Sequence, residues 1–369
     1  MAPFRVAMIG TGAPDRGRDP SQVTQSGFSV AYRHAPCYHE LAETELVACA
    51  DIDPDHAAAF AEMFEIDPAN VYTDHRIMLA EVRPDVVDIC TPASTHADLV
   101  VDCALDGGVA AIHCEKPMAT TWGDCRRMDD VCRRRGVQLT FNHQRRFATP
   151  VLTVKRLLDD GTIGALERME IGASALFSYG THSIDLCGLF ADEAIPEWVI
   201  AQIDYRTENI YSGAHNENQA FAQWQYDTGV YGMAAMGMGA GMVDAHHRLI
   251  GTEGIIELAP GGGANALVRV NRDDTAGWEA IDGGDGGMGG LSNGYPYMIR
   301  SIEEAITALA EDRPSQLSAK HALNASELIF GAYESARRRA RVDFPLTIED
   351  NPLEAMVAAG ELNPLPPEA

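Results

Sequence analysis

The sequence predicts two domains: an α/β N-terminal domain built on a parallel, doubly wound sheet, then an α+β C-terminal domain with a large, mostly antiparallel open sheet. Three observations carry this expectation. The 369 residues exceed one ordinary domain. Between Phe4 and Phe141 short apolar runs alternate with helical segments, the pattern of β-α units with parallel strands. From Leu166 to Leu258 strand-like runs gather in one block, which favours antiparallel pairing. The expected domains are 1–144 and 145–345, followed by a peripheral acidic tail over 346–369.

The first strand, Phe4–Ile9, runs directly into Gly10-Thr11-Gly12. A strand ending in G-x-G opens a dinucleotide-binding (Rossmann) fold, because glycines let the backbone approach a pyrophosphate. The third glycine of that pattern belongs at position 15, which is Asp15. A polar, turn-rich insertion over 13–26 intervenes, so Gly27 becomes the displaced third glycine and opens a helix reaching Leu41. Glu45–Ala50 is the second strand and ends in Asp51-Ile52-Asp53. A carboxylate at that strand end is where a Rossmann fold holds the adenosine ribose, which selects Asp51. Asp53 suits the N-cap of the next helix, with Pro54 at its first position. No Arg follows closely to hold a 2′-phosphate, so NAD is the expected cofactor. Arg16 and Arg18 in the insertion keep NADP as the alternative.

The alternation continues with a strand at Val71–Thr73, a helix to Glu81, and a strand at Asp85–Cys90. Thr91-Pro92-Ala93-Ser94-Thr95-His96 and a helix to Leu105 follow. Gly107-Gly108 stops that helix, and the strand Val109–Ile112 leads to His113-Cys114-Glu115-Lys116-Pro117. Pro117 reads as a helix-starting proline. Ligands of doubly wound sheets lie beyond the carboxyl ends of the strands, where Gly10, Gly12, Asp51, Thr91, Pro92 and Lys116 all fall. The chain has three lysines against twenty-five arginines, so a Lys at such a strand end is not filler. A surface turn with an adjacent charge pair is the bland alternative for Glu115-Lys116-Pro117.

Past Arg145 the elements lengthen: a helix at Val151–Asp159, the strand block, then helices over Gly294–Leu309 and Ala319–Arg339. Within this part, His182 and Asp185 are spaced i, i+3 and share one face of a helix, so Asp185 would orient the imidazole. A helix-start histidine bonded to backbone is the alternative. Asn142, Arg146 and Tyr179 are candidate substrate contacts, and His96 a candidate beside the nicotinamide, with a structural role open for each. His246-His247 has no further ligand at metal spacing, so no metal is expected.

Composition is globular, 46% hydrophobic and 22% charged, with no apolar run of membrane-spanning length. No signal or transit peptide is visible, and eight cysteines without a C-x-x-C pair read as reduced thiols of a cytoplasmic protein. The net charge of −26 makes nucleic acid and anionic membrane poor partners. Its spread along the chain, with few lysines, points to a high-salt cytoplasm that screens the self-repulsion.

The ordered set strand–GTG, ADID, TPASTHADLV, EKPMAT and GTHSIDL, with FNHQRRF, LLDDGTIGAL, GTEGIIEL and ESARRRARVDFP, resembles the Gfo/Idh/MocA family (glucose-fructose oxidoreductase, inositol dehydrogenase, rhizopine catabolism) from Val6 to about Pro345. That resemblance implies a nicotinamide-dependent dehydrogenase acting on a sugar, cyclitol or related polyol. It places Lys116 beside the nicotinamide ribose and the substrate hydroxyl, with Glu115 packing against or orienting it. His182 becomes the general base. The resemblance also implies a homodimer or homotetramer formed through the C-terminal sheet. In similar sugar and inositol dehydrogenases an Asp usually lies four residues before that His. Position 178 here is Ser, so either His182 works without it or Tyr179 assists. Two other readings are a glycoside-processing enzyme that oxidises its sugar transiently with bound NAD, and a non-catalytic cofactor-binding sensor.

Overall fold

The computed structural model describes residues 2–13, 29–211, 213–261, 266–272, 277–281 and 295–366. Gly27, Arg16, Arg18 and most of the insertion lie outside them. The chain forms two compact units. One comprises Met1–Ala119, Asp124–Gln144 and Asn293–Lys320; the other comprises Thr120–Gly123, Arg145–Ser292 and His321–Ala369.

The first unit carries the strands β1 (Phe4–Ile9), β2 (Thr44–Ala50), β3 (Val71–Tyr72), β4 (Val86–Ile89), β5 (Ala111–Cys114) and β6 (Gln138–Phe141). They interleave with α1 (Ala31–Glu40), α2 (Pro54–Met63), α3 (His75–Val82), α4 (Ala93–Asp106) and α5 (Trp122–Arg135). All pairs are parallel and the order is β3-β2-β1-β4-β5-β6. The winding reverses between β1 and β4, which opens a crevice at the carboxyl ends of those two strands. β4 and β5 are buried at every position, as a parallel sheet covered on both faces requires. Parallel pairing is therefore legible as mainly apolar runs, interrupted here by Asp88 and His113. β5 extends to Cys114, which places the Glu115-Lys116 corner directly at its end. The helix begins only at Trp122, so Pro117 sits in the connecting turn and does not start it.

One core cluster joins Tyr32, Ala35 and Tyr38 of α1 with Phe60 of α2 and Val6 and Met8 of β1. It also takes in Met298, Ile302 and Ile306 from a late helix, α8 in chain order (Tyr295–Ala310). This return of the chain to the first unit is not signalled in the sequence, where that helix reads as closing the second domain.

The second unit holds α6 (Thr149–Asp159), β7 (Leu166–Ala173), α7 (Gly180–Phe190), β8 (Pro196–Asp204), β9 (Ile210–Tyr211), β10 (Ala214–His215), β11 (Gln219–Tyr226) and β12 (Tyr231–Gly237). β13 (Ala245–Gly251), β14 (Gly254–Pro260), β15 (Val268–Asn271) and β16 (Glu279–Ile281) follow; then α9 (Ala319–Arg338), β17 (Val342–Asp343) and α10 (Pro352–Ala358). Nine strands form one open sheet, ordered β16-β15-β14-β13-β7-β12-β11-β8-β17. Only the β7–β12 pair is parallel. The fold class is thus the expected one. In β8 and β11 burial alternates along the strand, so one face is core and the other is open.

The C-terminal segment is not peripheral. Asn351 caps α10 by accepting from Leu353 N (3.0 Å), while its own amide donates to Thr120 O (3.1 Å). Leu353 and Met356, one helical turn apart, are buried in the second unit. Among the described residues no helix is long and apolar enough to cross a membrane.

Candidate active site

In the first unit the loop after β1 holds Gly10 at φ +84° and Gly12 at φ +65°, a region costly for other residues. A Cβ on Gly10 would run into the Thr91 side chain at the end of β4, and one on Gly12 would meet Ser29 Oγ at 2.6 Å. Asp51, at the end of β2, ties this loop down. Its Oδ2 accepts from Gly12 N (2.8 Å) and Thr11 Oγ1 (3.2 Å), and its Oδ1 accepts from Asp53 N (2.9 Å). Asp53 caps α2 through Asp55 N.

At the end of β5, Lys116 is half-buried and its amide donates to Glu115 Oε2 (3.1 Å). Glu115 Oε1 receives Asn142 Nδ2 (2.6 Å) and faces His34 Nε2 (3.2 Å). The other ring nitrogen of His34 lies 2.9 Å from Asp88 Oδ2. Each imidazole nitrogen therefore faces a carboxylate, and the doubly protonated ring satisfies both. Burial opposes charging His34, but Asp88 and Glu115 prevail and raise its pKa to about 9. The carboxyl of Glu115 is held below its ordinary range: burial opposes this, and His34, Lys116 and Asn142 outweigh it. The 2.9 Å between Asn142 Nδ2 and His34 Nε2 follows from two donors converging on one oxygen.

Two expected contacts are corrected here. Asn142 is fully buried, with Nδ2 committed to Glu115 and Oδ1 accepting from Ser301 Oγ (3.3 Å); it braces the corner instead of touching substrate. His96 is also fully buried. Its Nδ1 faces Pro117 O (3.0 Å) and its Nε2 faces Thr91 O (2.8 Å). It clamps the loop after β4 to the corner after β5, a positioning role in place of cofactor contact. Thr91 is partly exposed and Pro92 exposed at the head of α4.

In the second unit His182 lies in the first turn of α7, 3% exposed, its amide donating to Tyr179 O (3.1 Å). Asp185 pairs with a buried cation. Both its oxygens accept from Arg146, at 2.8 Å from Nε and 2.7 Å from Nη2. Nη1 of the same arginine donates to Glu193 Oε1 (2.6 Å). Arg146 is 3% exposed and consumed by this pairing, so it is a structural cation and not a substrate contact. A buried guanidinium needs counter-charge more than a helix-face imidazole needs orienting. The Tyr179 ring lies under the Arg145 guanidinium, 4.1 Å from its centre. The loop leading to α7 is held by Asn216, whose Oδ1 accepts from Ser178 N (3.1 Å), and by buried Glu217, whose Oε1 accepts from Leu176 N (2.6 Å). Burial pushes the Glu217 carboxyl up to about 7 against its hydrogen bonds.

Among the described residues one group has ligand-like atoms close together, His34, Asp88 and Cys90. Its hydrogen bonds are satisfied internally, with Cys90 Sγ donating to Asp88 Oδ1 (3.3 Å). Burial, first, and the nearby carboxylates push this thiol far above its ordinary pKa.

Residues 4–143 match the family model described as "Oxidoreductase family, NAD-binding Rossmann fold" (GFO_IDH_MocA). Over those residues the chain is similar to Gfo/Idh/MocA NAD-binding domains. Among curated relatives, D-apiose dehydrogenase of Paraburkholderia graminis is 38% identical over 137 residues, covering 37% of this chain and 35% of that one. D-glucoside 3-dehydrogenase of Escherichia coli is 33% identical over 165 residues, covering 45% of this chain and 42% of that one. The chain thus spans well under half the length of these two relatives. Across almost the whole chain the fold is shared with an oxidoreductase from Agrobacterium radiobacter solved in complex with NAD+, L-tartaric acid and magnesium. That structure has a TM-score of 0.73 at 19% identity, covering 92% of this chain and 98% of that one.

The first unit fits a dinucleotide. Gly10 and Gly12 would leave the loop backbone bare for the phosphates, and Asp51 would offer carboxylate lone pairs to ribose hydroxyls. Sequence reasoning missed the support beneath this site. A charged Asp88 inside the apolar run DVVDIC was the available signal, since a carboxylate in a buried strand demands a cationic partner. His34 on the buried face of α1 supplies it.

Proposed function

We propose that the chain is an NAD(P)-dependent dehydrogenase that oxidises a hydroxyl of a sugar, cyclitol or related polyol, with NAD as its cofactor. The observation carrying this reading is the position of Lys116. It stands at the end of β5 next to the switch-point crevice, its backbone pinned by Glu115, and Glu115 in turn is pinned by His34 and Asn142. That support is spent on one residue, in a domain of a family whose relatives include D-apiose and D-glucoside dehydrogenases.

NAD, when bound, supplies the hydride acceptor. Lys116 donates a charge-assisted hydrogen bond to the substrate hydroxyl oxygen and stabilises its alkoxide character as the C–H electron pair leaves. His182 accepts the hydroxyl proton, so one hydride and one proton depart and a carbonyl remains. Asp51 repels a 2′-phosphate, which favours NAD over NADP. The protein works in a salt-rich cytoplasm, and copies associate through the open face of the nine-stranded sheet. Exposed Ile200, Phe221, Tyr231 and Met233 support that association.

A panel of sugars and inositols with NAD and NADP, followed by absorbance of the reduced cofactor at low and molar KCl, tests the reading. NADH formation that rises with KCl is expected. No turnover of any polyol with either cofactor would sink it, and full activity in dilute buffer would remove the salt adaptation.

A further inference from the structure

Two consecutive arginines in the second unit are more than nine-tenths buried, Arg145 at 7% and Arg146 at 3% exposure, yet only one has its charge answered. Arg146 has Asp185 and Glu193. Among the described residues no carboxylate lies within ion-pair distance of Arg145, whose side chain meets His246 Nε2 (3.2 Å) and the face of Tyr179.

The histidines do not neutralise it. His247 Nε2 faces Ser183 O (2.9 Å), a pure acceptor, so that nitrogen carries the hydrogen. The Nδ1 atoms of His246 and His247 are 2.6 Å apart, so the neutral His247 accepts there from His246. His246 Nε2 is then left as a lone pair, which accepts from Arg145. One tautomer for each ring satisfies the whole chain, and both rings stay neutral. Burial drives both pKa values down, and Arg145 adds to that effect. The cluster thus holds a single net charge on the guanidinium, and His246 occupies one of its five N–H groups. Burying such a charge unpaired is costly, which marks the place as built for a ligand. Tyr179 and His246 are partly exposed, so the cluster reaches the surface of the unit, and the Tyr179 carbonyl accepts from the His182 amide in the first turn of α7.

We propose that Arg145, backed by Tyr179 and His246, anchors a carboxylate on the substrate, so that the oxidised hydroxyl belongs to a sugar acid instead of a neutral sugar. This rests on the dehydrogenase reading. One positive charge beside two neutral rings matches a carboxylate monoanion better than a phosphate dianion, and the guanidinium fork presents the paired donors a carboxylate accepts.

The test compares matched pairs, glucose with glucuronate and gluconate, on the full chain with NAD. Direct binding of each acid is measured by calorimetry alongside turnover. The acids should be preferred in kcat/KM, and Arg145→Gln should lower the acid-to-neutral ratio roughly 10- to 100-fold, mainly through KM, with Arg145→Lys intermediate. Equal use of acid and neutral substrates by the wild type overturns the proposal while leaving the dehydrogenase reading intact, and that comparison needs no variant to fold. A rise in the KM for NAD with an unchanged acid-to-neutral ratio also overturns it, by assigning Arg145 to the cofactor. Absence of NADH from every substrate sinks the dehydrogenase reading instead. Saturable gluconate binding that Arg145→Gln abolishes would then still keep the anion site, and its absence would remove it.

Discussion

The imidazole of His34 lies 2.9 Å from Asp88 Oδ2, both fully buried beneath the carboxyl ends of the strands that carry the proposed site. Its second nitrogen faces Glu115, and Glu115 holds the amide of Lys116. A buried ion network therefore stands directly under the lysine. Nothing in the composition announces it.

That network makes stability depend on pH. The pKa of His34 is raised to about 9 from 6.5, so its contribution is complete below about pH 6.5 and is lost as pH rises through 9. Glu217, raised to about 7 from 4.5, acts in the same direction: the fold prefers it protonated, and stability falls as pH climbs from 4.5 to 7. Asp88 and Glu115, both held low, act oppositely but only in acid; burial, first of all, also holds His96, His113, His246 and His247 low, so each adds stability as pH rises toward 6.5 and opposes Glu217 there. Unfolding midpoints in urea should accordingly fall from about pH 7 to 9, where His34 titrates, with that group accounting for about 3 kcal/mol at most. Glu217→Gln should steepen the rise of stability between pH 4.5 and 6.5, because its opposing contribution is removed. A midpoint independent of pH would contradict the assignment of charges.

Arg146 and Asp185 are predicted to be structural. Arg146→Met leaves Asp185 and Glu193 without their buried cation and should cost about 3–5 kcal/mol of stability. Asp185→Asn, which keeps the shape and some of the hydrogen bonding, should lower stability yet leave the pH profile of turnover in place. If Asp185→Asn instead shifted the basic limb of that profile, the carboxylate would be orienting His182 after all.

The open face of the nine-stranded sheet is predicted to be covered by a second copy of the chain. Phe221→Asp with Met233→Glu, both on exposed positions of adjacent strands, should convert the oligomer to monomer by light scattering. A wild-type protein already monomeric at micromolar concentration would dispose of this surface.

Much of the architecture was readable from periodicity. Parallel strands appear as short, mainly apolar runs, and strand ends coincide with Gly10, Asp51, Thr91 and Lys116. Partners were harder to read, because partner choice is made in three dimensions. His182 and Asp185 share a helix face, but Asp185 answers Arg146, distant in sequence and in greater electrostatic need. Asn142 and Glu115 converge through strands β5 and β6, and His34 joins them from α1. The membership of α8 in the first unit rests on packing of Met298 and Ile302 that no local pattern encodes. The strands β15, β16 and β17 are too short to carry a period-2 signature.

The central claim is that Lys116 carries the chemistry, and Lys116→Met tests it most directly. The variant would be assayed with the best substrate of the polyol panel, with NAD affinity measured separately by fluorescence. The account predicts a fall in kcat of about 10²- to 10⁴-fold with NAD affinity changed by less than about threefold. A variant that reduces NAD at the wild-type rate would contradict it.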